Sequence, residues 1–192
     1  MCMSEEEFRA GRGDRHPPAL LMNNAVRSLL ERRNKFDRFV KEGYTVADLG
    51  CGSGYFTLHL AEVVGPGGLV YAVDTNSRAV KALDGYARKR GMTNLRTSTT
   101  SSAALGFIPS STVDFVLSNL TLCCMTEHDT AVDEMLRVMK KGARAYISVT
   151  TFGRRNDPRS MNKPEFDSVR SRFRVIETSD RRTVSAALVE KL

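Results

Sequence analysis

The chain has 192 residues, 41% of them hydrophobic and 27% charged, with a formal net charge of +7. That length suffices for one domain with a real hydrophobic core, and no apolar run approaches the ~18 residues of a membrane span. Four cysteines without regular spacing exclude a disulfide framework, no metal site is expected, and a charged start with no apolar signal core predicts a cytoplasmic protein.

Residues 1–18 are charged and proline-containing, and are expected to form a mobile segment. Residues 19–192 are expected to form a single domain. Apolar residues recur at helical spacing from Ala19 to Val40. Strand one is predicted over Thr45–Leu49, followed by a helix over Tyr55–Val64 that Gly65 and Pro66 close. Strand two is Leu69–Val73. The next helix, Ser77–Arg90, has Asn76 or Thr75 as its cap and Gly91 as its stop. Strands three and four are Asn94–Thr99 and Asp114–Ser118, then a helix runs over Asp129–Met139 and strand five over Arg144–Thr150. The last helix, Lys163–Phe173, carries Pro164 in its first turn. Two strands end the chain, Arg174–Thr178 and Val184–Leu192, joined by a polar turn. Strands alternating with helices predict an α/β fold with a mostly parallel sheet covered on both faces. The final pair predicts an antiparallel hairpin at one edge.

The most informative stretch is Val46-Ala-Asp-Leu-Gly-Cys-Gly-Ser-Gly-Tyr-Phe-Thr57. An apolar run ends at Asp48 and Leu49, and Gly50, Gly52 and Gly54 follow at alternate positions. Glycine lets backbone approach a ligand closely, and a following helix offers it free amides and a positive dipole end. Twenty-four residues after Gly50, strand two ends in Asp74, where nucleoside-binding α/β sheets place a carboxylate on the ribose. The G-x-G-x-x-G of dinucleotide enzymes is absent, because Tyr55 follows Gly54 directly. A nicotinamide dehydrogenase is therefore disfavoured.

These residues resemble the class I S-adenosylmethionine-dependent methyltransferases. Asp48-Leu-Gly-Cys-Gly-Ser-Gly54 is similar to their first motif, Val73-Asp74 to their second, and Val113-Asp-Phe-Val-Leu-Ser-Asn119 to their fourth strand. Glu134-Met-Leu-Arg-Val-Met-Lys-Lys-Gly142 is similar to their fourth helix and the turn after it. Within that family the small prokaryotic "type 11" and ubiquinone-biosynthesis-like enzymes are most similar, through His16-Pro17, Met22-Asn23-Asn24 and Arg27-Ser-Leu-Leu30. The resemblance implies a Rossmann-like seven-stranded sheet, S-adenosylmethionine as cofactor and S-adenosylhomocysteine as product.

Ligands of such sheets bind at the C-terminal ends of the strands. The resemblance then assigns Gly50, Cys51 and Gly52 to the methionine part of the cofactor, with Gly54 and Tyr55 completing the loop. Asp48 takes the ammonium, Asp74 the ribose hydroxyls, and Thr75 lies beside the adenine. Where relatives place an acidic residue for the adenine amino group, this chain has Ser101 and Ser102, and a neutral acceptor binds more weakly. Asn119 is expected to line both cofactor and acceptor. Where relatives carry a His pair after strand four, this chain has Cys123-Cys124. These are expected to be buried and inert rather than a nucleophile or a metalloid ligand. His59 is expected to be packed or at the surface and His128 solvated in a loop, while His16 is the histidine placed near substrate. Methyl transfer to a good nucleophile needs mainly alignment and exclusion of water, so no catalytic residue is assigned.

Residues 144–182 hold ten basic against five acidic groups, including Arg154, Arg155 and Arg159. This basic lobe points to an acidic acceptor, with Arg154 and Arg155 as candidate substrate contacts. A small metabolite is the favoured substrate. RNA bound through the lobe is the alternative, to be separated by its steep salt dependence. A cofactor-binding module without chemistry is the reading from another class. No membrane partner is expected, and oligomeric state is not encoded in any motif.

Overall fold

Eleven regular elements follow one another in the computed structural model, which describes residue 13, residues 31–151 and residues 157–192. They are β1 (Thr45–Leu49), α1 (Thr57–Val64), β2 (Leu69–Asp74), α2 (Ser77–Lys89), β3 (Leu95–Thr99), β4 (Val113–Asn119), α3 (His128–Val138), β5 (Met139–Thr150), α4 (Lys163–Ser171), β6 (Arg174–Asp180) and β7 (Val184–Glu190). The strands form one sheet in the order β3-β2-β1-β4-β5-β7-β6. The first five are parallel, and β7 runs antiparallel to both β5 and β6. This is the Rossmann-like α/β sheet with an edge hairpin that the sequence implied.

Alternation along each strand divides the core between the two faces. On one face Val116, Ala145, Ile147 and Val149 pack beneath Val132 and Met135 of α3 and Phe166 of α4. On the other, Val46, Phe115, Leu117 and Leu188 pack with Phe36 and with Leu60 and Val64 of α1. Each of these side chains larger than alanine contributes roughly 1.5–3 kcal/mol when fully buried. Helix starts obey local chemistry: the Asn76 side chain accepts the amides of Arg78 and Ala79 at 3.1 and 3.2 Å. Asn162 and Glu165 form a reciprocal capping box on α4, with a proline in its first turn.

Two expectations change. The predicted helix over 19–40 falls within the described residues only at its end, and there the chain forms a 3-10 turn, Arg33–Phe39. Its i, i+3 spacing sets Phe36 and Phe39 above one another on the sheet, where both rings meet Tyr146. Strand β5 starts at Met139 rather than Arg144, because Met139 already pairs with Val113. The Lys140-Lys141-Gly142 stretch is a strand irregularity, with Gly142 at φ 74° and its amide donating to the Lys191 carbonyl.

Candidate active site

Strand order reverses between β1 and β4, so the crevice of an open α/β sheet lies at their C-terminal ends. Gly50, Gly52 and Gly54 all take positive φ, at 77°, 54° and 85°. The amides of Gly50 and Cys51 both donate to the Val73 carbonyl, at 2.7 and 3.0 Å. The Gly52 amide donates to Asp74 Oδ2 at 2.8 Å and the Gly54 amide to the Cys51 carbonyl at 3.0 Å. The loop is thus sewn to the end of β2, and these four amides face inward.

The glycines differ in purpose. A Cβ at Gly50 would stand 2.3 Å from Thr121 Oγ1, so the loop after β4 lies directly on Gly50. Thr121 is held there by donating to the Leu49 carbonyl at 2.6 Å. A Cβ at Gly54 would stand 2.3 Å from Leu83 Cδ1, so this glycine admits α2 to the loop. Tyr55 is 2% exposed, packs edge-on to Phe56, and donates its hydroxyl to the Glu31 carbonyl. Gly54 and Tyr55 therefore have packing partners of their own.

The polar groups around the loop are acceptors. Asp48 is buried, and its Oδ2 accepts from Thr57 Oγ1 at 2.6 Å. Asp74 accepts Gly52 on one oxygen and Asn76 on the other, both at 2.8 Å, which leaves each oxygen a further lone pair. Burial, then Asp48 and Asp74, push the Cys51 thiol well above its ordinary range. The crevice carries negative potential and few free amides. It suits a ligand that presents donors and positive charge, such as an ammonium, a sulfonium and two ribose hydroxyls. Among the described residues, the amides of Gly50, Cys51, Gly52 and Gly54 are engaged within the protein and are not offered to a pyrophosphate.

Further along, Thr75 is half-buried beside Asp74, and Ser102 is buried. Ser101 Oγ accepts the Ala103 amide at 3.2 Å, which shapes the turn after β3. Asn119 Oδ1 accepts from Ser148 Oγ at 2.9 Å, while its Nδ2 is a buried donor with no partner among the described residues. A donor stranded in that way costs on the order of 1–3 kcal/mol. Leu120 next to it takes φ 61°, rare outside glycine, and its amide donates to Ser148 at both the carbonyl and the hydroxyl. Thr57, Thr121 and Ser148 thus shape the crevice although no motif marks them. Hydroxyl residues at strand ends are too common to signal it.

Cys123 is buried as expected, but it is not an ordinary thiol. A hydrogen bond from Cys124, opposed by burial and reinforced by the Thr150 hydroxyl and amide, lowers it from 9.0 to about 6. His59 bonds Asp37 at 2.8 Å, in keeping with a packed surface residue. His128 differs from expectation: it opens α3, and its Nε2 is buried, without a partner among the described residues, rather than solvated. The basic lobe is largely neutralised where it is described. Arg159 pairs with Asp157 at 2.8 Å, Arg170 with Asp167 at 2.8 Å, Lys163 with Asp180 at 2.6 Å, and Arg174 with Glu190. His16, Arg154 and Arg155 lie outside the described residues. Among the described residues there is no helix long and apolar enough to cross a membrane, and no group of three metal-ligating side chains.

Known proteins resemble this chain in sequence and in fold. The sequence model of the methyltransferase-domain family matches residues 40–177. Demethylmenaquinone methyltransferase of Anoxybacillus flavithermus is 30% identical over 134 residues, covering 68% of this chain and 56% of that protein. A ubiquinone/menaquinone biosynthesis C-methyltransferase of Pasteurella multocida is 33% identical over 109 residues, covering 56% of this chain and 40% of that protein. The chain spans about half the length of the curated relatives it matches. A SAM-dependent methyltransferase structure from Aquifex aeolicus shares the fold with a TM-score of 0.68 at 22% identity, covering 88% of this chain and 99% of that one. With a family match over most of its length, the chain belongs to the methyltransferase-domain family of class I S-adenosylmethionine-dependent methyltransferases.

Proposed function

We propose that this chain binds S-adenosylmethionine in the acidic crevice and methylates a ring carbon of a small oxygenated acceptor, a demethylated quinol. The carrying observation is the acceptor-rich character of the crevice, in which Asp48 and Asp74 flank a glycine loop whose amides are already spent. The acceptor class comes from the names of the relatives, a demethylmenaquinone methyltransferase and a quinone-biosynthesis C-methyltransferase.

On this reading Asp74 takes the two ribose hydroxyls on its remaining lone pairs. Gly50, Cys51 and Gly52 line the methionine portion, and Asp48 supplies negative charge to its ammonium. Thr75, Ser101 and Ser102 line the adenine side. Bound there, S-adenosylmethionine would supply a methyl group on a positively charged sulfur and leave as S-adenosylhomocysteine, and the ring carbon that takes the methyl would release its proton to solvent. Asn119 Nδ2 donates to a ring oxygen of the acceptor and so turns the neighbouring carbon toward the crevice. Thr121, fixed over Gly50, and its neighbour Leu120 help keep water from the reacting atoms. Alignment of this kind provides much of the barrier reduction in a two-substrate transfer. Paired arginines across the described part of the basic lobe weigh against RNA as the acceptor.

The test is calorimetric titration with S-adenosylmethionine and S-adenosylhomocysteine, on the wild type and on Asp74→Ala, followed by transfer of a labelled methyl group to reduced demethylmenaquinone. Micromolar binding that Asp74→Ala abolishes, with label appearing in the quinol, is the expected result. Cofactor binding without label in the quinol would overturn the acceptor class. No binding at millimolar cofactor would overturn the whole reading.

A further inference from the structure

Asn119 is the last residue of β4, at the crevice end of the sheet, and the register pairs it with Ser148 of β5. Partner residues of parallel strands share a face, so the two side chains meet. Asn119 Oδ1 accepts from Ser148 Oγ at 2.9 Å. The same Oγ accepts the Leu120 amide at 3.1 Å, and that amide also reaches the Ser148 carbonyl at 3.0 Å. Leu120 sits at φ 61°, so an unusual backbone state aims its amide back at Ser148. Ser148 is 1% exposed, and bulk water does not compete for its hydroxyl.

A count of protons decides which way the Asn119 amide faces. A serine hydroxyl has one proton and two lone pairs. The Leu120 amide occupies a lone pair, and the proton then needs an acceptor, which Asn119 Oδ1 supplies. Turned over, the amide would present Nδ2 to Ser148, and the hydroxyl proton would lose that acceptor in a buried place, where an unmade bond is costly. The relay from the Leu120 amide through the Ser148 hydroxyl to Asn119 Oδ1 therefore runs in one direction, each bond polarising the next. Its far end is Nδ2, a buried donor with no partner among the described residues. A side-chain amide that could rotate would offer oxygen or nitrogen to a ligand. This one offers only N–H.

We propose that Ser148 is a positioning residue that locks Asn119 with Nδ2 outward, so that the acceptor site reads an oxygen lone pair and refuses an N–H at the same place. This inference rests on the reading of the crevice as the place where an oxygenated ring is methylated, and it narrows that reading. The acceptor carries a carbonyl or ionised hydroxyl oxygen beside the methylated carbon, and its amino counterpart is excluded because N–H would face N–H. Ser148 acts through Asn119. Its hydroxyl sets the sign of the contact, and Asn119 makes it.

The test uses the 192-residue chain, labelled with ¹⁵N, in the presence of S-adenosylhomocysteine. The side-chain amide signals of Asn119 are assigned by their loss in Asn119→Asp. The probes are α-tetralone, which offers a carbonyl oxygen and no donor, tetralin, the same frame without the oxygen, and α-naphthylamine, which offers N–H. Tetralone is expected to move the Asn119 amide protons downfield, and tetralin to leave them in place. Naphthylamine should bind no more tightly than tetralin. In Ser148→Ala the amide can turn over, so the preference for tetralone over tetralin should fall about threefold with the competent fraction. The Leu120 amide keeps the carbonyl of residue 148 in this variant, so the turn retains its backbone bond. Ser148→Thr returns the hydroxyl and should restore the preference, which a change in packing alone would not do. Asn119 signals unmoved by tetralone, naphthylamine binding as tightly as tetralone, or a preference equal in wild type and Ser148→Ala would each overturn the proposal. A preference that depends on Ser148, without methyl transfer to reduced demethylmenaquinone, would sustain the role of Ser148 while removing the proposed reaction.

Discussion

Asp74 Oδ2 accepts the Gly52 amide at 2.8 Å while Oδ1 accepts the Asn76 amide at the same distance, so one carboxylate joins the glycine loop to the entrance of α2. Both bonds are charge-assisted and partly buried. Asp74→Asn keeps the shape but turns one acceptor into a donor facing an N–H. It should cost roughly 1–3 kcal/mol of folding stability and weaken S-adenosylhomocysteine at least about tenfold. Urea unfolding and calorimetry read the two effects separately. A variant as stable as the wild type would show that the loop does not depend on this carboxylate.

Gly54 and Leu83 are matched in a similar way. The glycine is at φ 85°, and a Cβ there would stand 2.3 Å from Leu83 Cδ1. Gly54→Ala combines a left-handed penalty of roughly 1–2 kcal/mol with an overpacking cost of about 1–3 kcal/mol. Leu83→Ala removes the obstructing methyl groups at the cost of a cavity. In the double variant the overpacking part should disappear, so the two changes should sum to less than their separate costs. Strict additivity in thermal unfolding would mean that only backbone strain matters.

The elements were readable because each carried an independent local signal. Strand β1 falls on Thr45–Leu49 as predicted, and Asn76 and Pro164 mark their helix starts because capping and first-turn chemistry are local. The Asp48 and Asp74 strand ends and the glycine loop were readable for the same reason. What the residues did not disclose is where the loop amides point, since that depends on β2 ending one strand away. Thr121 over Gly50 and the positive φ of Leu120 were hidden likewise, because a threonine and a leucine carry no turn signal of their own. Tyr55 looked like part of a ligand loop by position, yet its ring finds Phe56 and its hydroxyl finds Glu31, a partner outside the motif.

Glu134 and Arg137 tie the segment between β3 and β4 to α3. Glu134 accepts the Leu105 amide at 2.7 Å, and Arg137 donates to the carbonyls of Leu105 and Ile108 at 2.9 and 3.0 Å. The hydrogen bond from Arg137, opposed by burial and aided by the Leu105 amide, holds the Glu134 carboxyl below its ordinary 4.5. A carboxyl depressed in the folded state stabilises above its ordinary value, and that contribution is lost as pH falls through the lowered one. Glu134→Gln should therefore be less stable than wild type by about 1–2 kcal/mol at neutral pH. The gap should narrow on acidification. A gap independent of pH, measured by urea unfolding between neutral and strongly acidic buffer, would contradict the ionic account.

Cys123 provides the opposite test, near neutrality. Its thiol is lowered to about 6 by the hydrogen bond from Cys124 and by the Thr150 hydroxyl and amide, against the effect of burial. Cys51 is pushed the other way by burial, Asp48 and Asp74, so it stays a thiol across the same range. The ultraviolet difference spectrum between wild type and Cys123→Ser should show thiolate absorbance rising with a midpoint near 6. Thr150→Val, which removes one donor, should move that midpoint upward. The linkage has a definite sign: a depressed thiol adds stability that is complete above its ordinary 9.0 and is lost as pH falls toward about 6. Wild type should therefore gain stability over Cys123→Ser as pH rises from 6 to 9. If the difference spectrum shows no step below about pH 8, where an ordinary thiol begins to ionise, Cys123 is a plain buried thiol and its bond to Thr150 does no more than pack the end of β5.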